Sequence, residues 1–177
     1  NSLAKLLATR DFYESVAVAD YDLSRAESVV AWIEKRFPAA HPRFSAAHID
    51  ASQPSNVTDA ARAHGSTIVM NAVEPSFVES IFDGALAAGA DYMDMAMSLS
   101  KPHPSDPHTT PGIKLGDYQF EKASEWEKEG RLALVGMGVE PGISDVFAKY
   151  AADHLFSEID EIGVRDGANL VVTDEKG

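Results

Sequence analysis

Residues 132–156 read LALVGMGVEPGISDVFAKYAADHLF. Leu132–Val135 is a short apolar run of strand length, and VFAKYAADHLF reads as a helix that runs to about Phe156. Between them, GMGVEPGISD packs Gly136, Gly138, Gly142, Pro141, Ser144, Glu140 and Asp145 into one turn. An ordinary strand-to-helix connection needs one turn residue and one cap. Three glycines imply a backbone that something approaches closely.

Upstream the chain alternates in the same way. Leu3, Leu6, Leu7 and Phe12 suggest a helix ending near Arg10-Asp11. Val16–Ala19 is a β-prone run closed by Asp20. Ser24-Arg25-Ala26-Glu27 has the capping-box pattern and predicts a helix starting there, with Val29, Val30, Ile33 and Phe37 on one face and Pro38 as its stop. Phe44–Ile49 is a second strand, closed by Asp50, and a helix is expected around 56–63. Thr67–Met70 is a third, closed by Asn71. Pro75 suits the first turn of a helix carrying Phe77, Val78, Ile81, Phe82, Ala85 and Leu86, with Gly89 as its terminator. Tyr92-Met93 is a weaker strand closed by Asp94. A long proline-rich loop precedes a helix near 118–129. At the end, Ile162 and Val164 alternate with polar neighbours and predict a half-exposed strand at 158–165.

Short apolar strands separated by amphipathic helices imply an α/β protein with a doubly wound parallel sheet, covered by helices on both faces. Ligands in such sheets bind at the carboxyl ends of the strands. Those ends are Asp20, Asp50, Asn71, Asp94 and the Gly136-Met137-Gly138 turn. Asp, Asn and Gly are also ordinary turn residues, so each position alone has a plain reading.

Asp20 carries the sharpest chemistry. An acid at the end of the second strand of a dinucleotide fold accepts hydrogen bonds from the adenosine ribose and repels a 2′-phosphate. It favours NAD over NADP, while Arg25 nearby is able to accommodate that phosphate or simply lies in solvent. Asp50-Ala51 borders the adenine or makes a helix-preceding turn. Asn71-Ala72-Val73 offers small residues for a nicotinamide ribose. The G-x-G-x-x-G fingerprint that accompanies such an acid is absent from residues 1–177; its spacing to Asp20 places it just upstream of Asn1. The expected fold is therefore a Rossmann-like sheet lacking its first strand.

Composition removes other classes. The net charge of −13 argues against nucleic-acid and anionic-membrane surfaces. The absence of cysteine excludes disulfides, thiolate metal sites and a cysteine nucleophile within these residues. No apolar run approaches the roughly 20 residues of a membrane helix, and a cytoplasmic setting is expected. His103 and His108 share a loop with Asp106, but without ligand spacing they read as solvated, and no metal site is expected. No G-x-S-x-G, P-loop or H-E-x-x-H motif appears.

VMNAVEPSFVESIFDGALAAGADYMDMA (69–96) and LVGMGVEPGISDVFAKYA (134–151), with the tail IDEIGVRDGANL, resemble the saccharopine dehydrogenase family. The resemblance implies a Rossmann NAD(P)-binding domain at 1–142 and, at 143–177, a linker helix and the start of a second α/β substrate domain. It implies hydride transfer at a C–N bond of an amino-acid or polyamine-like substrate. Asp20 would hold the ribose, Asp50 and Ala51 flank the adenine, and Asn71, Ala72 and Val73 line the path to the nicotinamide. Met95 and Ala96 match the segment after the Tyr-x-Asp strand. Gly138, Val139, Pro141 and Gly142 would pack beside the nicotinamide ring, so that Gly138→Val should block the ring and leave the fold intact. Ser144 would cap the following helix, and Asp145 would favour its positive end or serve as acid or base. The other class of function is a dinucleotide-binding module without catalysis, a sensor or scaffold. A homodimer through the tail strand is a further expectation.

Overall fold

A computed structural model of the chain describes residues 2–165 and 167. The elements alternate as α1 (Ser2–Leu7), β1 (Val16–Asp20), α2 (Leu23–Arg36), β2 (Phe44–His48), α3 (Pro54–His64), β3 (Ile68–Asn71), α4 (Val78–Ala88), β4 (Asp91–Asp94), α5 (Asp117–Glu121), α6 (Ala123–Lys128), β5 (Ala133–Leu134) and α7 (Ile143–His154). Single 3-10 turns stand at His41–Arg43 and Pro75–Phe77. Every described strand pair is parallel. This is the Rossmann-like α/β architecture.

The single sheet expected from the sequence is divided. β1 pairs with β2, and β3, β4 and β5 form a second ladder in that order; no ladder joins β1 to β3 among the described residues. α2 connects β1 to β2 within the first ladder, and α3 connects β2 to β3 in the second.

Each half has its own core. Ala4, Ala8, Val29, Ile33, Ala40 and Phe44 are buried together beside β1, with Val16 and Val18 against them. Val57, Ile81, Phe82, Ala85, Tyr92 and Trp126 fill the second. There Phe82 meets Tyr92 edge-on at 5.1 Å between ring centres and Trp126 at 4.7 Å, geometries that suit the ring quadrupoles. α3 and α4 approach closely at Gly84, where a Cβ would stand 2.6 Å from that of Val57. Thr58 Oγ1 donates to Gly84 O across the same contact at 3.0 Å. The halves are stitched after β2: Ile49 and Ala51 pack on the second core, and the Ser80 hydroxyl of α4 donates to Ala51 O.

Several expectations need correction. α1 ends at Leu7, because Thr9 Oγ1 takes the Leu6 carbonyl at 2.7 Å and competes with further helix. α2 begins at Leu23, before the expected capping box; its cap is Asp22, whose carboxylate accepts from Ser24 N at 3.0 Å. The helix expected over 118–129 is two short helices, since Lys122 leaves helical geometry (φ −91°, ψ 5°) with its ammonium on Asp83. α7 stops at His154. The second sheet is covered on one face only among the described residues. Ile68, Met70 and Leu134 lie on the face opposite Val69, Tyr92 and Ala133 and are exposed. The tail strand at 158–165 is also not formed: those residues have no regular structure, and Ile162 and Val164 are exposed. Alternation alone does not make a strand without a neighbour to pair with.

Candidate functional site

Parallel pairing sets the carboxyl ends of β1 and β2 on one edge and those of β3, β4 and β5 on another. The sequence-predicted residues fall at these ends. At the first, Asp20 Oδ1 accepts from Asp22 N at 3.0 Å and lies 3.7 Å from the guanidinium of Arg25. Arg25 itself is largely in solvent. The strand register sets Asp20 against His48, and Ile49 N donates to Asp20 O at 3.1 Å. Asp50 follows directly. Its Oδ1 accepts from the amide and hydroxyl of Ser52, at 3.0 and 2.6 Å, and these bonds hold the carboxyl below the usual carboxylate range. Ala51 forms the stitch to α4.

At the second edge, Asn71 is buried while Ala72 and Val73 are exposed. Asn71 Oδ1 accepts from Val73 N at 3.1 Å, and its Nδ2 donates to the Tyr92 hydroxyl, also at 3.1 Å. Tyr92 donates to Asp94 Oδ2 at 2.9 Å. Gln119 Nε2 donates to the same oxygen at 2.8 Å, and Gly136 N donates to Oδ1 at 2.6 Å. Burial pushes the Tyr92 phenol far up, opposed by the Asn71 bond and reinforced by the Asp94 charge. Tyr92 and Gln119 were missed as site residues in the sequence, and Asp94 was noted there only as a strand end. Tyr-x-Asp on one strand puts both side chains on one face, a legible signal. Gln119 lies in another element and gave none.

Met95 and Ala96 begin the loop after β4; Met95 is exposed and Ala96 half-buried. Across from them the glycine turn is folded on itself. Gly138 N donates to Pro141 O at 3.0 Å, and Ile143 N to Gly138 O at 2.9 Å. A Cβ on Gly138 would run into the carbonyl oxygen of Met95, and one on Gly142, which sits at φ 136°, into Gly138. These glycines are demanded by the protein's own packing. Gly138→Val therefore displaces backbone, contrary to the expectation of an intact fold. Val139 stands exposed at the tip.

The helix cap expected at Ser144 is also corrected. The N-cap of α7 is Gly142, whose amide donates to Asp145 Oδ2 at 3.0 Å, while Ser144 Oγ is buried without a described partner. Asp145, the sequence candidate for acid or base, spends one oxygen on this cap and is exposed. In the loop of His103 and His108, His103 Nδ1 accepts from Asp106 N at 3.1 Å, and Asp106 takes the hydroxyls of Thr109 and Thr110. No group of metal-ligating side chains occurs among the described residues. No described helix is long and apolar enough to cross a membrane. A surface cleft of about 540 Å³ between α4 and α6, lined by Asp83, Lys122 and Glu125 among others, includes none of the predicted site residues.

Acid-tipped parallel strands stand beside small exposed residues after β3, and a glycine turn follows β5. Residues 1–134 match the saccharopine dehydrogenase NADP binding domain. The chain belongs to this family. It is 26% identical over 164 residues to carboxyaminopropylagmatine dehydrogenase of Synechocystis, a match that covers 92% of this chain and 37% of that protein. It is 25% identical to carboxynorspermidine synthase of Vibrio alginolyticus, covering 92% and 39%. The chain thus spans under two-fifths of these relatives. Among solved structures, apo saccharopine dehydrogenase (L-Glu forming) from Saccharomyces cerevisiae superposes with a TM-score of 0.61 at 18% identity, over 87% of this chain and 28% of that one. That likeness speaks to the fold.

At the first edge the donor set leaves an acceptor of the kind a dinucleotide's ribose needs. The Asp20 carboxylate keeps Oδ2 clear of the hydrogen bonds made by Oδ1. At the other edge Ala72, Val73, Met95 and Val139 are exposed and uncharged, with the exposed Glu74 and Glu140 next to two of them in the chain.

Proposed function

We propose that this chain is the dinucleotide-binding part of an oxidoreductase that moves a hydride at a C–N bond of an amino-acid or polyamine-like substrate. The observation that carries the reading is the Asp20 carboxylate at the end of β1, in a chain whose residues 1–134 match the family's NADP binding domain. The relatives named for carboxyaminopropylagmatine and carboxynorspermidine support the substrate class. The bound dinucleotide supplies or accepts the hydride. The protein's own residues bind and orient it. Asp20 accepts from the adenosine ribose hydroxyls, and Asp50 with Ala51 borders the adenine. Asn71, Ala72, Val73, Met95 and Ala96 line the way to the nicotinamide, and the turn at Gly138, Val139, Pro141 and Gly142 walls it. α7 is the linker helix that opens 143–177, the stretch read as the start of a substrate domain.

Asp20 favours NAD, because a 2′-phosphate meets its negative charge. Arg25, 3.7 Å away and largely in solvent, is the cation a 2′-phosphate would recruit. Calorimetric titration with NADH and NADPH tests both residues. Asp20→Ala should weaken NADH about tenfold, equivalent to about 1.4 kcal/mol, and NADPH less. Arg25→Ala should weaken NADPH alone. Equal losses for both cofactors would remove Asp20 from the ribose site, and binding of neither by the unaltered chain would defeat the reading.

A binding module without catalysis is the second reading. One observation favours it: Asp145, the sequence candidate for acid or base, has one oxygen engaged as a helix cap. Turnover separates the two, since an enzyme changes nicotinamide absorbance with some amine or imine and a module does not.

A further inference from the structure

We propose that Asp94 is a positioning residue for the nicotinamide half of the site, one that locks the three loops after β3, β4 and β5 into a single body. The proposal rests on the dinucleotide reading for its functional consequence, and on geometry alone for the locking.

Asp94 is 1% exposed, and both of its oxygens act as acceptors. The donors come from three directions. Tyr92 brings the loop after β3, because its own hydroxyl accepts from Asn71, and Asn71 in turn holds Val73 N. Gln119 brings the loop after β4, because its Oε1 accepts from Ser98 N at 2.9 Å. Gly136 N brings the turn after β5 directly, and Met137 N adds a bond to the Asp94 backbone carbonyl at 2.9 Å. The path runs from Val73 through Asn71, Tyr92, Asp94 and Gln119 to Ser98, with a branch to Gly136. Four of these six links cross between segments more than twenty residues apart.

Such a network is cooperative and costly to leave half-made. No cation takes part in these bonds. Asp94 is held by dipoles alone, so the donors must stay in place for it to remain buried. Moving the turn after β5 would break a bond to the buried carboxylate itself, and moving either other loop would break a bond to one of its two side-chain donors. The three loops therefore move together or not at all. They are also the loops that carry Val73, Met95, Ala96 and Gly138. A nicotinamide ring must be held to within a fraction of an ångström for hydride transfer, and this network supplies the rigidity.

The test is Asp94→Asn, with Tyr92→Phe as the milder variant. In Asp94→Asn one oxygen becomes a donor and faces another donor, either Gly136 N–H or the pair from Tyr92 and Gln119. The first readout is hydrogen exchange of the chain without cofactor. Protection at Gly136, Ser98 and Val73 amides should fall together, by about tenfold in Asp94→Asn and less in Tyr92→Phe, with the α2 amides unchanged. Loss confined to Gly136 would overturn the locking. The second readout is binding of NADH and NADPH against their adenosine fragments, ADP and 2′,5′-ADP. Asp94→Asn should weaken the dinucleotides about tenfold and leave the fragments unchanged. Equal weakening of fragment and dinucleotide would mean a merely structural role, and unchanged dinucleotide binding would also sink the proposal. If the unaltered chain binds no dinucleotide, the functional reading fails separately, and the exchange pattern still decides whether Asp94 locks the loops.

Discussion

The two half-sheets reach the same kind of edge by different means. At the ends of β1 and β2 the acids are held by their nearest neighbours: Asp20 by Asp22 N, Asp22 by Ser24, Asp50 by Ser52. Each of these bonds spans two residues and lies at the surface. At the ends of β3, β4 and β5 the acid is buried and its partners lie far along the chain, Gln119 and Gly136 among them. The first edge is thus a set of independent turns, and the second is one unit. A surface turn replaces water with a local bond at little net gain, whereas a buried carboxylate has no water to fall back on. Substitutions at the second edge should therefore cost more and spread further.

The largest effect is expected at the glycine turn. Gly138→Ala puts a methyl group into the Met95 carbonyl, and relief requires backbone movement in one of two segments. A loss of about 3 kcal/mol in urea unfolding is expected, at the upper end of overpacking costs. A loss below about 1 kcal/mol would show that the turn is as independent as those at the first edge, and would break the comparison.

The pH dependence sharpens it. Burial raises the phenols of Tyr92 and Tyr118, with Asp94 and Asp83 adding to the rise, while Lys122 is raised by its bonds to Asp83 and Tyr118 against the opposing effect of its own burial. Tyr118 donates to Asp83 Oδ2 at 2.6 Å, and Lys122 to Oδ1 at 2.6 Å. Groups with raised folded values stabilise the native state in full below their unfolded values, near 10 for Tyr and 10.5 for Lys. That stability is lost as pH rises through the folded values. Urea melts at pH 8 and pH 10.5 should show the fall. Tyr92→Phe should flatten it more than Tyr118→Phe, because Tyr92 is fully buried. Asp22 and Asp50 have the opposite sign. Their side-chain and backbone bonds to serine lower the carboxyls, so they stabilise above about 3.8 and release as pH falls below it. Asp106, held by Thr109 and Thr110, behaves likewise. Tyr13, packed beside β1, is raised by its burial as well, so part of the fall should remain; a fall left unchanged by Tyr92→Phe would contradict the share given to the second edge.

The same contrast explains what the sequence disclosed. The alternation of short strands and amphipathic helices was legible because burial period and turn chemistry are local properties. So were the places of Asp20 and Asp50 at and just past strand ends, which depend only on the strand before them. The division of the sheet was not legible, since each strand segment reads alike whether or not a ladder joins it to the next. The glycine turn was read as open to a ligand, because glycine marks close approach without naming what approaches; here it is Met95 and the turn itself. Gln119 gave no signal, as nothing within α5 reports a carboxylate 25 residues earlier.

The smallest effect should come from the start of α2. Asp22 caps the helix through Ser24 N and also takes the Ser24 hydroxyl at 2.7 Å. Asp22→Ala leaves one helix amide to water, at a cost of about 1 kcal/mol. Ser24 should not substitute, because it sits inside the first turn with Leu23 already helical. Glu27, the partner expected for it in a capping box, should then be dispensable: Glu27→Ala should change unfolding by less than about 0.5 kcal/mol, the usual range for an exposed surface position. If Glu27→Ala cost as much as Asp22→Ala, the box read from the sequence would be present in solution. The first edge would then hold one reciprocal pair in addition to its simple turns, and the distance between the two edges would narrow.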